Sequence, residues 1–201
     1  MELPIEFRNI TEELAAGIPV KKLISAANAI SERYRSEAAS GKPLITNDTE
    51  AAAYAIVRMP ATIGASGSAM QYAADRYDGE INTVLDIGAG TGACSWAAAE
   101  VFPDIEKITC LEREKSMIDF GRTLMEKGDF PFECQWISRD ITAGFDMKAD
   151  LVTASYVLNE MPEKMQEKLI SAMWNATAKL MIIIEPGTPK GFKNILRIRE
   201  Q

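Results

Sequence analysis

Val84-Leu85-Asp86-Ile87-Gly88-Ala89-Gly90-Thr91-Gly92 decides the fold: an apolar run breaks into three glycines at alternate positions. Such a run reads as a buried strand turning into a helix. Glycines there let the backbone approach a ligand closely, and the helix start offers unpaired N–H donors and the positive end of a dipole. Downstream, short apolar runs alternate with helical stretches, the order of a βαβ sheet. The predicted strands are 83–87, 107–111, 132–137, 151–155 and 180–184, with helices at 91–101, 115–127, 163–177 and 190–199. The connection 138–150 is too short for a long helix.

Upstream the period changes. Leu23, Ala27, Ile30 and Tyr34 fall on one face of a helix predicted over 19–40. Asn47 and Glu50 have capping-box spacing for a second helix, which Pro60 is expected to stop after Met59. A third, richer in Gly and Ser, is predicted over 65–77, and Asp78-Gly79 forms a turn.

The chain has 201 residues, enough for one core with an extension. Apolar residues at 47% and charged residues at 25% are those of a folded globular chain, not a disordered tail or a fibre. The net charge of −7 argues against whole-surface binding to nucleic acid and leaves room for a local basic patch. Such a patch is present at the end: residues 186–201 hold Lys190, Lys193, Arg197 and Arg199 against Glu200 alone, a net +3. There is no histidine, so Ser/His/Asp triads, Cys/His dyads, His metal ligands and a His general base are all excluded. Cys94, Cys110 and Cys134 are too widely spread for a C-x-x-C motif and read as buried, reduced thiols. Met1-Glu2-Leu3-Pro4-Ile5-Glu6 lacks the layout of a signal peptide, and no apolar run approaches a membrane span. A cytoplasmic protein without membrane partners is expected.

The glycines do not by themselves choose the ligand, because the run can also be written G-x-G-x-x-A with Ala93 last, a permitted dinucleotide fingerprint. Asp86 tips the reading. A carboxylate two residues before the first glycine would repel a pyrophosphate but accept from an ammonium, directly or through water. Gly92 is an extra glycine that widens the approach for a bulkier, less anionic group. Glu112 ends the second strand, where an acid can take both hydroxyls of a ribose. Asp140, after the third strand, can accept from an adenine amino group, and Met117 can pack on the ring.

Taken together, the order hhDhGxGxG, an acid after strand two and an acid after strand three resembles the class I S-adenosylmethionine-dependent methyltransferases. More narrowly, three segments resemble the Rsm22 family of small ribosomal subunit-associated methyltransferase-like proteins. They are Tyr54 with Arg58-Met59-Pro60-Ala61-Thr62, then Ser155-Tyr156-Val157-Leu158-Asn159-Glu160-Met161, then Glu185-Pro186-Gly187-Thr188-Pro189-Lys190-Gly191-Phe192. The resemblance implies an α/β fold, a Rossmann-like doubly wound parallel sheet in order 3-2-1-4-5 with later strands missing. Residues 1–80 would form an N-terminal helical cap, and 81–201 a methyltransferase domain that we expect to be C-terminally truncated. It implies S-adenosyl-L-methionine as cofactor, held by Asp86, Gly88, Ala89, Gly90, Gly92, Glu112, Arg113, Asp140, Ile141 and Ser155. Asn159 and Glu160 stand nearest the chemistry, with Ser155 and Tyr156.

Members of that family usually continue into a cysteine-containing region implicated in iron–sulfur binding in mitochondrial relatives. This chain stops before it, so no metal site is carried over. It also lacks N-P-P-Y, D-P-P-Y and a Pro-Cys nucleophile, but alignment of acceptor and sulfonium supplies much of the acceleration in methyl transfer, so a site can lack a strong base. Three functions stay open: a methyltransferase acting on ribosomal RNA or the small ribosomal subunit, a non-catalytic assembly factor that keeps the cofactor pocket, and a small-molecule methyltransferase.

Overall fold

In the computed structural model, which describes residues 3–36 and 44–200, the polypeptide begins with four helices. These are α1 (Ile5–Ala15), α2 (Val20–Ser36), α3 (Asp48–Val57) and α4 (Met59–Ala74). Then strands and helices alternate: β1 (Thr83–Ile87), α5 (Ala93–Val101), β2 (Lys107–Glu112), α6 (Lys115–Lys127), β3 (Glu133–Ser138), β4 (Ala149–Ser155), α7 (Glu163–Ala176), β5 (Thr177–Ile184) and α8 (Pro189–Arg199). Single 3-10 turns at Ile141–Ala143 and Leu158–Glu160 flank β4.

The five strands form one parallel sheet in order β3-β2-β1-β4-β5, as the sequence implied. β1 lies at its centre with Val84, Leu85 and Ile87 buried on both faces, which is why that strand reads as apolar apart from Asp86. One face of the sheet packs on α7 through Leu169, Ile170 and Met173. On the other face a single cluster joins Trp96 of α5 to Phe7 of α1 and to Met59, Ile63 and Met70 of α4. Aromatic edges hold it together, with Phe7 to Trp96 centroids at 5.4 Å and Trp96 to Phe130 at 4.9 Å.

Two N-terminal expectations need correction. Pro60 does not stop a helix; it sits in the first turn of α4, where its missing N–H costs nothing and its fixed φ suits the helix. The break between α3 and α4 falls one residue earlier, at Arg58. α1 has no counterpart in the sequence reading. Of the helix predicted over 19–40, residues 37–40 lie outside the described residues.

The capping box at Asn47 is half as expected: the Asn47 side chain accepts from the Glu50 N–H at 3.0 Å. The Glu50 carboxylate instead reaches Thr46, accepting from its N–H at 2.8 Å, and pairs with Arg33 of α2. Burial pushes this carboxyl up, but Arg33 and the Thr46 donors outweigh it and hold its pKa below the usual value. Arg33 also donates to the Leu44 carbonyl, so one charged group ties α2 to the start of α3.

At the other end, Thr188 caps α8 by accepting from the Gly191 N–H at 3.2 Å, and this folds the helix back over Pro186. A Cβ at Gly191 would fall on the Pro186 carbonyl oxygen, which is backbone and cannot swing aside. Gly191→Ala is therefore expected to cost about 2 kcal/mol or more through overpacking. Urea unfolding should show a lower midpoint with an unchanged slope.

Candidate functional site

The strand order reverses between β1 and β4, and in open α/β sheets ligands bind outside the carboxyl ends of the strands at such a point. A cavity of about 840 Å³ opens there, within the usual range for small-molecule sites. Gly88 and Gly90 form its floor, in left-handed conformations at φ +65° and +59°. Gly88 is required by packing, since a Cβ would meet Val157 Cγ2 at 2.7 Å. Gly90 is tight too, with Met117 Cε 3.3 Å from where a Cβ would stand.

Nine of the residues expected from the sequence line this cavity: Gly88, Gly90, Glu112, Arg113, Asp140, Ile141, Ser155, Asn159 and Glu160. Met117 and Tyr156 join them. Glu112 is almost fully buried, and its carboxylate accepts from the N–H groups of Gly90 at 2.9 Å, Arg113 at 2.7 Å and Glu114 at 2.9 Å. Burial lifts its pKa, and these three donors oppose the rise. A carboxylate has about four acceptor positions, so one remains on Oε2 for a ligand hydroxyl, rather than the pair of ribose hydroxyls anticipated. Asp140 accepts from the Thr142 N–H and hydroxyl on Oδ1 alone, at 2.9 and 2.7 Å, leaving Oδ2 for an outside donor. These bonds hold its carboxyl below the usual range.

Three expected positions stand elsewhere. Asp86 does not face the cavity: it is 1% exposed, accepts from the Ser95 N–H and hydroxyl at 3.2 and 2.8 Å, and takes the Thr153 hydroxyl at 2.9 Å. It joins β1 to α5 and β4. Ala89 is buried, with its N–H on the Leu111 carbonyl at 3.0 Å. Gly92 is the N-cap of α5 at φ +90° and lies under Trp136, 3.4 Å from a notional Cβ, so it serves packing and not ligand width.

The N–H donors are a further correction. Gly90 gives its N–H to Glu112, Ser95 to Asp86 and Gly92 to the Ala89 carbonyl. Two carboxylates thus occupy donors that a pyrophosphate would need, and Glu112 adds negative charge at the cavity wall. The site fits a cationic nucleoside such as S-adenosyl-L-methionine: a floor without side chains, one open acceptor on Glu112, one on Asp140 and the apolar Met117 and Ile141 in the same lining. Among the described residues no group of three or more His, Cys, Asp or Glu could hold a metal ion.

The sequence reading missed the far wall. In the sequence Tyr34 of α2 is only part of an apolar helix face, and Tyr54 and Arg58 are only marks of family resemblance; all three line the cavity. The Tyr34 and Tyr54 rings stack at 6.5 Å and 26°, and the Arg58 guanidinium lies 4.7 Å over Tyr34. A tyrosine on an apolar face, carrying a hydroxyl that needs a partner, was the signal. Tyr156 follows β4 at φ +62°, a strained setting for a bulky residue and one found at functional sites.

The three segments quoted for the resemblance, more than 120 residues apart at their extremes, meet at this one cavity through Tyr54 and Arg58, through 155–161, and through Pro186. The family model described as "Mitochondrial small ribosomal subunit Rsm22" matches residues 48–201. This chain belongs to the Rsm22 family. It is 23% identical over 124 residues to the human "Ribosome assembly protein METTL17, mitochondrial", covering 59% of this chain and 27% of that one, so the chain spans about a quarter of that relative's length. Among solved structures it is similar to the precorrin-6y C5,15-methyltransferase of Geobacter metallireducens, with a TM-score of 0.53, 18% identity and 70% of each chain covered. It is likewise similar to the plantazolicin methyltransferase BpumL in complex with S-adenosylhomocysteine (TM-score 0.53, 14% identity, 88% of this chain and 61% of that one). These likenesses show the Rossmann-like methyltransferase fold.

The expected cytoplasmic location is overturned by the same findings, since the family description and the human relative's name are both mitochondrial. The expectation leaned on reduced thiols and on the make-up of the first six residues, and reduced thiols fit any reducing compartment. No helix among the described residues is long and apolar enough to cross a membrane.

Asp86 yields a pH test. Burial, only partly offset by Ser95 and Thr153, raises its pKa to about 6 in the folded protein, against about 3.9 in an unfolded chain. The folded state therefore holds the extra proton between those values. The resulting stability is complete below pH 4 and is lost as pH rises through 6. Asp86→Asn cannot titrate, so its stability relative to wild type should improve by on the order of 3 kcal/mol from pH 4 to pH 7. Chemical denaturation at both pH values measures the difference.

Proposed function

We propose that this chain is an S-adenosyl-L-methionine-dependent methyltransferase unit acting on ribosomal RNA or the small ribosomal subunit. The observation that carries it is the convergence of the three Rsm22-family segments on the cavity floored by Gly88 and Gly90. S-adenosyl-L-methionine would be held by those glycines, Glu112, Asp140, Ile141 and Ser155, with Arg113 beside Glu112. When bound, that cofactor supplies an electrophilic methyl group. Residues 1–80 act, in this reading, as a helical cap on the unit 81–201. The name of the human relative favours a second reading, a ribosome assembly factor that binds the cofactor without turnover.

The C-terminal helix supplies a narrower basic surface than the sequence suggested. Lys190 donates to the Asn159 carbonyl at 3.1 Å, and Arg197 donates to Gln166 and pairs with Glu163 at 3.4 Å. Lys193 and Arg199 are exposed and can meet phosphates.

Labelled S-adenosyl-L-methionine, incubated with the protein and either small ribosomal subunits or a metabolite extract, separates the readings. Label in ribosomal RNA or protein supports the proposal. Label in a small molecule overturns the substrate, and binding without transfer favours the assembly factor. Calorimetry should show Glu112→Ala weakening the cofactor by about 1–3 kcal/mol and Gly90→Val abolishing binding. In filter binding to RNA, Lys193→Gln with Arg199→Gln should reduce the log–log salt slope by about 1.4, at about 0.7 for each phosphate of a single strand left unneutralised.

A further inference from the structure

One carboxyl in the cavity has no part in holding the cofactor as read above. Glu160 closes the 3-10 turn Leu158–Glu160 after β4, partly buried in the cavity wall. A glutamate on such a turn can swing into water. This one shares the cavity with Tyr34 of the far wall, whose hydroxyl favours its ionised form. Tyr34 is itself braced, with Tyr54 stacked beside it and Arg58 over its ring, and Arg58 donates to the Ser31 hydroxyl at 3.3 Å. Side chains from two helices and the junction after them thus brace one phenol in the cavity that this carboxyl lines. Ordering that many groups costs conformational entropy, and a solvated surface charge would gain nothing from it.

We infer that Glu160 is the proton acceptor for the group that receives the methyl, and that Tyr34 is its positioning residue; this rests on the methyltransferase reading above. The acceptor is a neutral N–H or O–H group, as on a nucleobase or a ribose. Its nitrogen or oxygen lone pair forms the bond to the methyl carbon as the carbon–sulfur bond breaks, and that electron pair returns to sulfur. The N–H or O–H proton passes to the Glu160 carboxylate. A neutral acceptor, a sulfonium and a carboxylate become a methylated neutral product, a thioether and a carboxylic acid, so atoms and charge balance.

The groups facing Glu160 set when it can act. Burial raises its pKa to about 7, with the Glu112 charge at the end of β2 adding to the rise. Arg113 and the Tyr34 hydroxyl oppose it, while Glu185 beyond β5 adds to it; Tyr54 of α3 feels the same carboxyl. A base with its pKa near the working pH combines an available ionised form with useful driving force.

Two measurements test the role. The first needs no turnover: calorimetry of cationic S-adenosyl-L-methionine and neutral S-adenosylhomocysteine from pH 5.5 to 8.5. The preference for the cation should rise on the order of fivefold as Glu160 ionises through pH 7. Glu160→Gln should flatten that rise, and Tyr34→Phe, which removes a donor to the ionised form, should move its midpoint upward. The second is methyl transfer to small ribosomal subunits. Glu160→Gln should lower kcat about 100-fold or more while S-adenosylhomocysteine affinity stays within twofold, with partial recovery in Glu160→Asp. Tyr34→Phe should shift the acid limb of the kcat profile to higher pH.

A cation preference that ignores pH in wild type, or is unaltered in Glu160→Gln, overturns the inference. Turnover that survives Glu160→Gln does so as well and leaves the methyltransferase reading standing. If wild type transfers no methyl group to any acceptor, that reading falls and takes the proton-acceptor role with it.

Discussion

A carboxylate shut away from water at the centre of the sheet governs the rest of this fold. Asp86 lies within the buried run of β1, one residue before its end, and burial of an ionised group costs several kcal/mol unless donors surround it. Here they come from two other elements: the first turn of α5 through Ser95, and β4 through Thr153. Those bonds fix where α5 begins and how closely β4 approaches β1. The loop between, Gly88 to Gly92, must then cross a short gap and does so with three left-handed glycines. Glu112 repeats the device one strand over by taking the Gly90 N–H, so β2 is tied to the loop by a side-chain acceptor while β4 is tied to β1 by the Thr153 hydroxyl on Asp86.

That arrangement bears on what the cavity accepts. Phosphate-binding loops leave their N–H groups open to an anion. Here Gly90 and Ser95 are already committed to carboxylates, and a phosphate would have to displace Glu112 against its charge. The dinucleotide fingerprint in the glycines is thus a property of the turn and not of the ligand. The sequence reading reached the same preference by way of Asp86. Its reason was misplaced, because the repelling carboxylate at the cavity wall is Glu112 and Asp86 acts from within the core.

The sheet was legible because parallel strands buried on both faces leave short apolar runs, and Val84, Leu85 and Ile87, interrupted only by Asp86, are the clearest. The acids after β2 and β3 were legible because strand ends project loops into the switch point. What escaped depends on tertiary packing. Whether Pro60 ends one helix or starts the next is decided by how α4 lies on Trp96, which no local pattern records. Gly92 looked like ligand clearance, yet its neighbour is Trp136, a residue 44 positions away. Arg197 counted as a free cation until α7 supplied Gln166 and Glu163.

The N-terminal helices are the least readable part and complete the site. Thr91 in the glycine turn donates to Met59 Sδ at 3.1 Å, and Ser66 of α4 contacts Cys94 of α5 at 3.2 Å. α4 is therefore keyed to the loop and helix that carry the cavity floor, and through the Arg58 junction it sets α3. Glu50 then fastens α2 to the start of α3 by way of Arg33. Each link is local, yet in series they place Tyr34 opposite Glu160 with little freedom. A free-standing lid would need few such buried polar links, since a segment that opens must break them. The helices before the sheet are accordingly one wall of the cavity, and the segment following β4 is another.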